Sequence, residues 1–241
     1  MRRANQFVAA VLAELEAMVA PGVTTADLDR AAEKLTREGG AEPAFKGYRG
    51  YPATLCASVN DEVVHGIPSP SRALKPGDIV SLDMGVKLDG FFGDSAVTVP
   101  VGPVPPETEA LLAATREALG LGIAQAQVGS RLSDIGHAIQ TCVEGRGFSI
   151  VREFVGHGIG ERLHEEPQIP NYGSPGRGPK LAAGMVLAIE PMVAMGRPET
   201  RVLGDGWTAV TRDGSLAAHF EHTIAVTAEG PLVLTARDAA R

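Results

Sequence analysis

The 241-residue sequence lacks several features, and each absence argues against a class of protein. Its only two cysteines, Cys56 and Cys142, lie far apart without metal-binding spacing, so we expect reduced thiols and no disulfide. The net charge of −7 leaves no basic excess for a phosphate backbone, which makes nucleic acid a poor candidate partner. No run of about 18 apolar residues occurs, so no membrane span is expected. Glu14 and Glu16 interrupt the short apolar run near the N-terminus, which argues against a signal peptide and favours a cytoplasmic location.

Two segments of the chain, 22–40 and 129–147, resemble each other at an offset of 107 residues. The identical pairs are Gly22/Gly129, Asp27/Asp134, Ala31/Ala138 and Gly40/Gly147. Each segment follows a longer helical pattern, at about 4–20 and 106–126, and is typical of a capped helix that ends at glycine. This repeat predicts two pseudo-symmetric αβ halves, about 1–104 and 105–241, within one domain that covers 1–241.

Strand-like stretches follow each predicted pair of helices. They are 54-TLCASVN-60, 78-DIVSLDMGV-86, 91-FFGDSAVTV-99, 149-SIVREFV-155, 184-GMVLAIE-190, 206-GWTAV-210 and 219-HFEHTIAVT-227. Their β-branched and aromatic content favours strands. The order predicts an α+β fold, with helices packed outside a curved, largely antiparallel sheet.

The Asp89–Gly90 dipeptide between two apolar runs is a strong hairpin signal. With these two residues as the turn, Gly85 faces Asp94 and Asp83 lies diagonal to Asp94 on the same face of the sheet. Two acids on an apolar face would repel each other and lose solvation unless a cation balanced them. The alternative is a pair of surface aspartates, and the apolar residues on both sides argue against it.

Glu190 and Glu221 also lie in apolar stretches. Pro191 indicates a strand edge or end after Glu190, and alternation places His219 on the face of Glu221, with His222 opposite. A buried salt bridge is the alternative for each glutamate, but neither stretch contains lysine or arginine. His219 is then a candidate partner of a metal ligand.

The segment 153–173 contains His157 and His164 among four glycines. The glycines argue against a helix and predict a loop that presents both histidines to a site. Four carboxylates with one imidazole favour Mn, Fe or Co over Zn or Cu. This set exceeds the needs of one ion, and bridging carboxylates support two neighbouring ions. The sequence therefore predicts a dinuclear hydrolytic centre.

Five segments, 47–68, 77–98, 155–173, 184–192 and 206–227, resemble in order and spacing the signature of type I methionine aminopeptidases. These are metallopeptidases of the M24 type with the pita-bread fold, which also has two pseudo-symmetric halves. The resemblance implies metal-dependent removal of the initiator methionine from nascent proteins and peptides when the second residue is small. A metal-activated water would attack the peptide, and the two divalent ions would be Co, Mn, Fe or Zn.

The resemblance also implies roles for particular residues. The metal ligands would be Asp83, Asp94, His157, Glu190 and Glu221, with Asp94 and Glu221 as bridges. Glu190 would also relay a proton, and His65 and His164 would contact the substrate and stabilise the transition state. The methionine pocket would be lined by Tyr48, Tyr51, Cys56, Leu163 and Trp207 together with His65 and His164. Leu163 stands where the family commonly has phenylalanine, which predicts a looser pocket.

Three other interpretations compete with this one. Proline-specific aminopeptidases and dipeptidases share the ligand set but usually carry another N-terminal domain, for which the helical pattern starting near residue 4 leaves no room. A catalytically inactive peptide- or RNA-binding relative should lack a ligand. A dinuclear phosphoesterase should have more histidines and a basic clamp. The expected partners are nascent N-termini and, transiently, the ribosome, and the expected state is a monomer. His137 and Cys142 are interpreted as a solvated or packing residue and as buried filler.

Overall fold

The computed structural model describes residues 1–236, so the last five residues of the predicted second half, 237–241, lie outside the described residues. The helices of the described part are α1 (Arg2–Met18), α2 (Thr25–Glu38), α3 (Pro106–Ala124) and α4 (Leu132–Glu144). All four were predicted, to within a few residues at each end. None of these helices is long and apolar enough to cross a membrane.

Helical spacing of apolar residues explains how α1 packs. Its buried residues include Val8, Val11, Leu12 and Leu15, which recur on one face and join the main core. The next helix, α2, starts at a capping box in which Thr24 and Asp27 satisfy free backbone N–H groups. Both helices pack on strands of the main sheet.

The main sheet has nine strands and carries the site. Its central order is β1-β4-β5-β14-β9-β7-β8, with β2 beside β4 and β15 beside β14. The bounds are β1 (Glu42–Pro43), β2 (Leu55–Val59), β4 (Ile79–Leu88), β5 (Phe91–Pro100), β7 (Gly156–Gly158), β8 (Glu165–Ile169), β9 (Val186–Ile189), β14 (Glu221–Thr227) and β15 (Gly230–Val233). Every pairing in it is antiparallel, as the sequence predicted.

Two small antiparallel sheets complete the described fold, in the orders β13-β10-β6 and β11-β12-β3. Their strands are β3 (Glu62–Val64), β6 (Ser149–Ile150), β10 (Met192–Ala194), β11 (Thr200–Val202), β12 (Ala209–Thr211) and β13 (Ala217–His219). These strands bury a separate apolar cluster that includes Val63, Val151 and Met192. They pack beside the ends of the long strands that hold the site.

The predicted hairpin register is confirmed. Gly85 pairs with Asp94 across β4 and β5, so Asp83 is diagonal to Asp94. The turn residues Asp89 and Gly90 have φ values of 53° and 83°. A type I′ turn requires positive φ at both positions, and its twist matches that of the strands.

Three predictions about local structure were wrong. The glycine stretch around His157 is not a loop, because Gly156–Gly158 forms strand β7 between β8 and β9. Its glycines are needed for close packing: a Cβ at Gly156 would lie 2.4 Å from the Ala188 carbonyl oxygen, and one at Gly158 would lie 2.2 Å from that of Glu166. His164 does lie in the connection between β7 and β8.

The other two corrections concern strand extent. The stretch 149–155 keeps only Ser149–Ile150 as a strand, because its pairing with β10 ends there. The stretch 219–227 is broken at Phe220: His219 pairs with Met192 in a small sheet, whereas Glu221 pairs with Ala96 in the main sheet. The chain changes sheets at this point.

Candidate metal centre

One row of paired residues across the main sheet places three functional side chains together. Cys56 on β2 pairs with Asp83 on β4, Asp83 with Ala96 on β5, and Ala96 with Glu221 on β14. Directly paired residues project on the same face of a sheet. The small Ala96 therefore separates two carboxylates on one face.

The remaining three carboxylate or imidazole groups follow by the two-residue period of strands. Asp94 lies two residues before Ala96 and shares its face. On the neighbouring strands Ala188 pairs with His157, and Glu190 follows Ala188 by two positions. The five predicted ligands thus project into the same concave side of the sheet.

A single cavity collects all the residues that were predicted as metal ligands or as contacts of the substrate. Its lining consists of Phe45, Tyr48, Arg49, Tyr51, Cys56, His65, Asp83, Asp94, His157, Leu163, His164, Glu190, Trp207 and Glu221. Sequence reasoning missed Phe45 and Arg49. Proximity to Tyr48 in the segment 45-FKGYR-49 was the available signal, but neither residue type indicates chemistry by itself.

The acids in this cavity are poorly solvated. Asp94 and Glu221 are 4% and 3% exposed, and one carboxylate oxygen of each has no hydrogen-bond partner among the described residues. Burial, reinforced by Asp83 and Glu190 nearby, raises the pKa of Asp94 well above its usual range. The pKa of Glu221 is raised in the same direction, mainly by burial and then by Asp94.

Asp83 and Glu190 are the other two carboxylates of the cavity lining. Burial raises the pKa of each carboxyl to about 7, although the imidazoles of His219 and His157 oppose the shift. One buried oxygen of Asp83 also lacks a hydrogen-bond partner in the described part of the protein. Four such carboxylates around one space require protons or cations to balance their charge.

His157 has the tautomer of a metal-binding imidazole. Its Nδ1 lies 2.9 Å from the carbonyl oxygen of Gly158, and a carbonyl can only accept, so Nδ1 carries the proton. The Nε2 lone pair is then free, and this atom lies 3.6 Å from Glu190 Oε1. A hydrogen bond at the other ring nitrogen is the usual way to orient a ligating histidine.

The donor set fits a divalent metal. Asp94, His157 and Glu221 each offer one ligand atom, and these atoms lie within 4.8 Å of one another. Together with the unpaired carboxylate oxygens, this spacing leaves room for a cation among oxygen and imidazole donors. The assignment of all five residues as ligands stays a prediction.

Two further histidines flank the acids. His164 lies at the exposed rim, where its Nδ1 is 2.9 Å from the hydroxyl oxygen of Tyr48. His65 adopts the left-handed backbone conformation with φ 61°, and its ring packs edge-on against Trp207 and Phe154. Burial lowers the pKa of both imidazoles, helped at His164 by the neighbouring His157 and Arg49.

Aromatic residues form the apolar side of the cavity. Tyr51 packs edge-on against Trp207, with ring centroids 5.1 Å apart, and Cys56 and Ala53 complete their cluster. The Tyr51 hydroxyl donates to backbone carbonyl oxygens and is buried, which raises its pKa. This wall is therefore apolar where it faces the cavity.

The remaining three histidines lie in three different environments. His219 is 2% exposed, and its Nε2 lies 3.6 Å from Glu190 Oε2. The ring of His222 contacts the Thr235 hydroxyl, outside the cavity lining. His137 lies on the surface of α4 with Nδ1 3.2 Å from the Gly173 carbonyl oxygen, as the packing interpretation predicted. Cys142 is buried on that helix.

A curled antiparallel sheet whose concave face holds buried carboxylates and an imidazole defines a metal-dependent hydrolase. The chain belongs to metallopeptidase family M24, whose model matches residues 1–228. This confirms the resemblance that the five sequence segments carry.

The relatives and solved structures agree on the branch of the family. The chain is 52% identical to the methionine aminopeptidase of Clostridium acetobutylicum, over 98% of this chain and 94% of that protein. It is 54% identical to methionine aminopeptidase 1 of Mycobacterium tuberculosis, over 98% and 91%. The crystal structure of methionine aminopeptidase from Thermotoga maritima superposes with a TM-score of 0.97 at 48% identity, covering 98% and 95%.

A more distant comparison concerns the fold alone. The prolidase from Pyrococcus furiosus matches with a TM-score of 0.80 at 20% identity, and the match covers 99% of this chain but 63% of that one. Together these structures confirm the predicted α+β pita-bread fold, with a curved antiparallel sheet and helices outside it.

Proposed function

We propose that this chain is a methionyl aminopeptidase that removes the N-terminal methionine from nascent proteins and peptides whose second residue is small. The observation that carries the proposal is the single cavity in which four carboxylates and His157 meet an aromatic wall. The high identity to methionine aminopeptidases supports this substrate over others of the fold.

The metal would be held by side chains of strands β4, β5, β7 and β14 and by Glu190, which directly follows β9. Asp83, Asp94, His157, Glu190 and Glu221 are the proposed ligands, and the resemblance to type I methionine aminopeptidases implies that Asp94 and Glu221 would serve both ions. Bound divalent ions would supply a water of lowered pKa and would polarise the scissile carbonyl. The four carboxylates would balance the charge of two such ions, which supports a dinuclear centre.

Glu190 and His164 are proposed to handle protons and developing charge. Glu190, one of the proposed ligands, would accept a proton from the metal-activated water and pass it toward the leaving amine. His164 is held neutral by its lowered pKa, and in the proposed tautomer its Nδ1 accepts a hydrogen bond from the Tyr48 hydroxyl. Its proton then lies on Nε2, which donates to the carbonyl oxygen of the substrate.

The apolar wall is proposed to select methionine. Tyr51 and Trp207 present ring faces and edges with which a thioether packs favourably. Cys56 lies directly beside Asp83 in the sheet, so the pocket starts next to the metal ligands. Leu163 is a buried residue of the cavity lining, and a smaller residue there than phenylalanine leaves more room. His65 borders the pocket through its contact with Trp207.

The cellular setting forms part of the same proposal. We place the protein in the cytoplasm, as a monomer that acts on N-termini emerging from the ribosome and contacts the ribosome transiently. Both cysteines are free and buried, which is compatible with a reducing compartment. The metal used in the cell is left open among Co, Mn, Fe and Zn.

Hydrolysis of two tripeptides tests the function. Chelator-stripped protein should cleave neither Met-Ala-Ser nor Ala-Pro-Ala, and addition of Mn, Fe(II) or Co should restore cleavage of Met-Ala-Ser only. Cleavage of Ala-Pro-Ala alone would support the prolidase-like alternative, which the shared fold raises. Bound metal without cleavage of either peptide would instead favour a peptide-binding role and contradict the proposal.

A further inference from the structure

We propose that His219 is a positioning residue, whose Nε2 donates a hydrogen bond to Glu190 and fixes how that carboxylate faces the metal centre. The inference rests on the proposed function, because it takes Glu190 as a ligand. Neither the five-ligand set nor the two substrate histidines includes this residue.

The side chain of His219 is buried without a partner of its own. It is 2% exposed, and neither ring nitrogen has a hydrogen bond within the described residues. A buried polar group left without a hydrogen bond destabilises the folded state. Glu190 Oε2 lies 3.6 Å from His219 Nε2, so a shift of a few tenths of an ångström makes a normal hydrogen bond.

Glu190 lies between two imidazoles. Its Oε1 is 3.6 Å from His157 Nε2, and its Oε2 is 3.6 Å from His219 Nε2. The free lone pair of His157 Nε2 marks the metal side of this carboxylate. A donor at Oε2 therefore leaves Oε1 as the oxygen directed at the metal.

The backbone holds His219 rigidly in this place. Its N–H donates to Thr98 Oγ1 at 2.9 Å, and the Thr98 hydroxyl donates back to the His219 carbonyl at 2.8 Å. His219 also pairs with Met192 across β13 and β10, and Met192 is two residues beyond Glu190. This strand pairing therefore keeps His219 close to the segment that carries Glu190.

Three variants of the full chain test this role. His219→Leu removes the donor, His219→Gln keeps an amide N–H at a similar distance from the backbone, and His222→Gln alters a histidine outside the cavity lining. Mn²⁺ affinity of the chelator-stripped proteins is measured by calorimetric titration, and their melting temperatures are measured without metal. Both readouts are independent of peptide hydrolysis.

The expected pattern separates positioning from folding. His219→Leu should bind Mn²⁺ about 10- to 100-fold more weakly, which is the usual effect of removing a partner of a ligand. His219→Gln should keep most of the affinity, and His222→Gln all of it. Without metal, His219→Leu should melt no lower than the unchanged protein, because it removes an unsatisfied buried polar group.

Two results would overturn the inference alone. One is unchanged Mn²⁺ affinity in His219→Leu, and the other is an equal loss in His219→Gln with a lower melting temperature in both, which indicates a packing role. If the unchanged protein bound no Mn²⁺ and no other divalent metal, the proposed function itself would fall.

Discussion

The first and second halves of the chain use the same backbone contacts to build their sheets. The N–H of Gly22 donates to the Leu74 carbonyl at 2.8 Å, and the N–H of Gly129 donates to that of Leu181 at 2.9 Å. Gly77 lies two residues before β4 and Gly184 two residues before β9, and the N–H of each donates to the carbonyl of a valine at 2.9 Å. Within each pair the two donor glycines stand 107 residues apart, which is the offset of the predicted repeat.

The two halves differ in the structural elements that hold the proposed metal ligands. Asp83 and Glu190 stand at the same offset of 107, and burial raises the pKa of each to about 7. Yet Asp83 lies within the ten-residue strand β4, whereas Glu190 follows the end of β9 and precedes Pro191. The two-residue turn between β4 and β5 brings Asp83 and Asp94 together. Glu190 and Glu221 meet only after the chain has passed through the two small sheets. Equivalent positions are therefore held by local contacts in one half and by distant ones in the other.

The largest expected effect comes from neutralising the equivalent pair. Asp83→Asn and Glu190→Gln should each lower kcat/KM for a methionyl peptide by about 10³-fold, because each loses a metal ligand worth several kcal/mol. Glu190→Gln should lose about another 10²-fold, because Glu190 also transfers a proton. Steady-state kinetics and metal content after gel filtration measure both effects.

Glu109→Gln serves as the control, since Glu109 is exposed on α3. It should change neither quantity. Equal losses in Asp83→Asn and Glu190→Gln would contradict the proton-transfer role and make the two halves equivalent in function.

The same contrast explains what the sequence could predict. Asp89–Gly90 specifies the first hairpin locally, so the diagonal placement of Asp83 and Asp94 followed from counting residues. No local signal pairs Glu221 with Ala96, because these residues meet through chain closure over more than half the sequence.

Two other features of the fold could not be predicted because local composition does not indicate them. The glycines around His157 predicted a loop. In the structure they instead allow close packing of β7 against the carbonyls of Ala188 and Glu166. The break between β13 and β14 at Phe220 could not be predicted from the sequence, because the residues on both sides have the composition of strands. The resemblance to a known family supplied the second-half residues that periodicity alone could not connect.

A pH dependence of the metal-free protein should be the next largest effect. The folded-state pKa values of Asp83 and Glu190, about 7, exceed their ordinary values of 3.8 and 4.5. Below about pH 4 both folded and unfolded chains are protonated; as pH rises, the unfolded chain releases these protons first. The free energy of unfolding should therefore decrease from about pH 4 to about pH 7, by more than about 1.4 kcal/mol for each group.

Thermal unfolding in the presence of a chelator, repeated between about pH 4 and about pH 7, measures how steeply the free energy of unfolding falls with pH. Asp83→Asn and Glu190→Gln should each make this slope shallower, and by similar amounts if the halves are electrostatically equivalent. An unchanged slope in both variants would show that these two carboxyls do not carry the dependence.

The smallest effect concerns the caps of the two equivalent helices. Thr24 and Arg131 both adopt extended N-cap geometry, with φ and ψ of −87° and 152°, and −92° and 146°. The Thr24 side chain accepts from the Asp27 N–H, whereas an arginine side chain cannot accept a hydrogen bond. Arg131→Thr should therefore raise stability by about 0.5–1 kcal/mol, a melting temperature about 2 °C higher, and Thr24→Ala should lower it by a similar amount. A lower melting temperature in Arg131→Thr would show that the bond from the Arg131 guanidinium to the Gly178 carbonyl outweighs the missing cap.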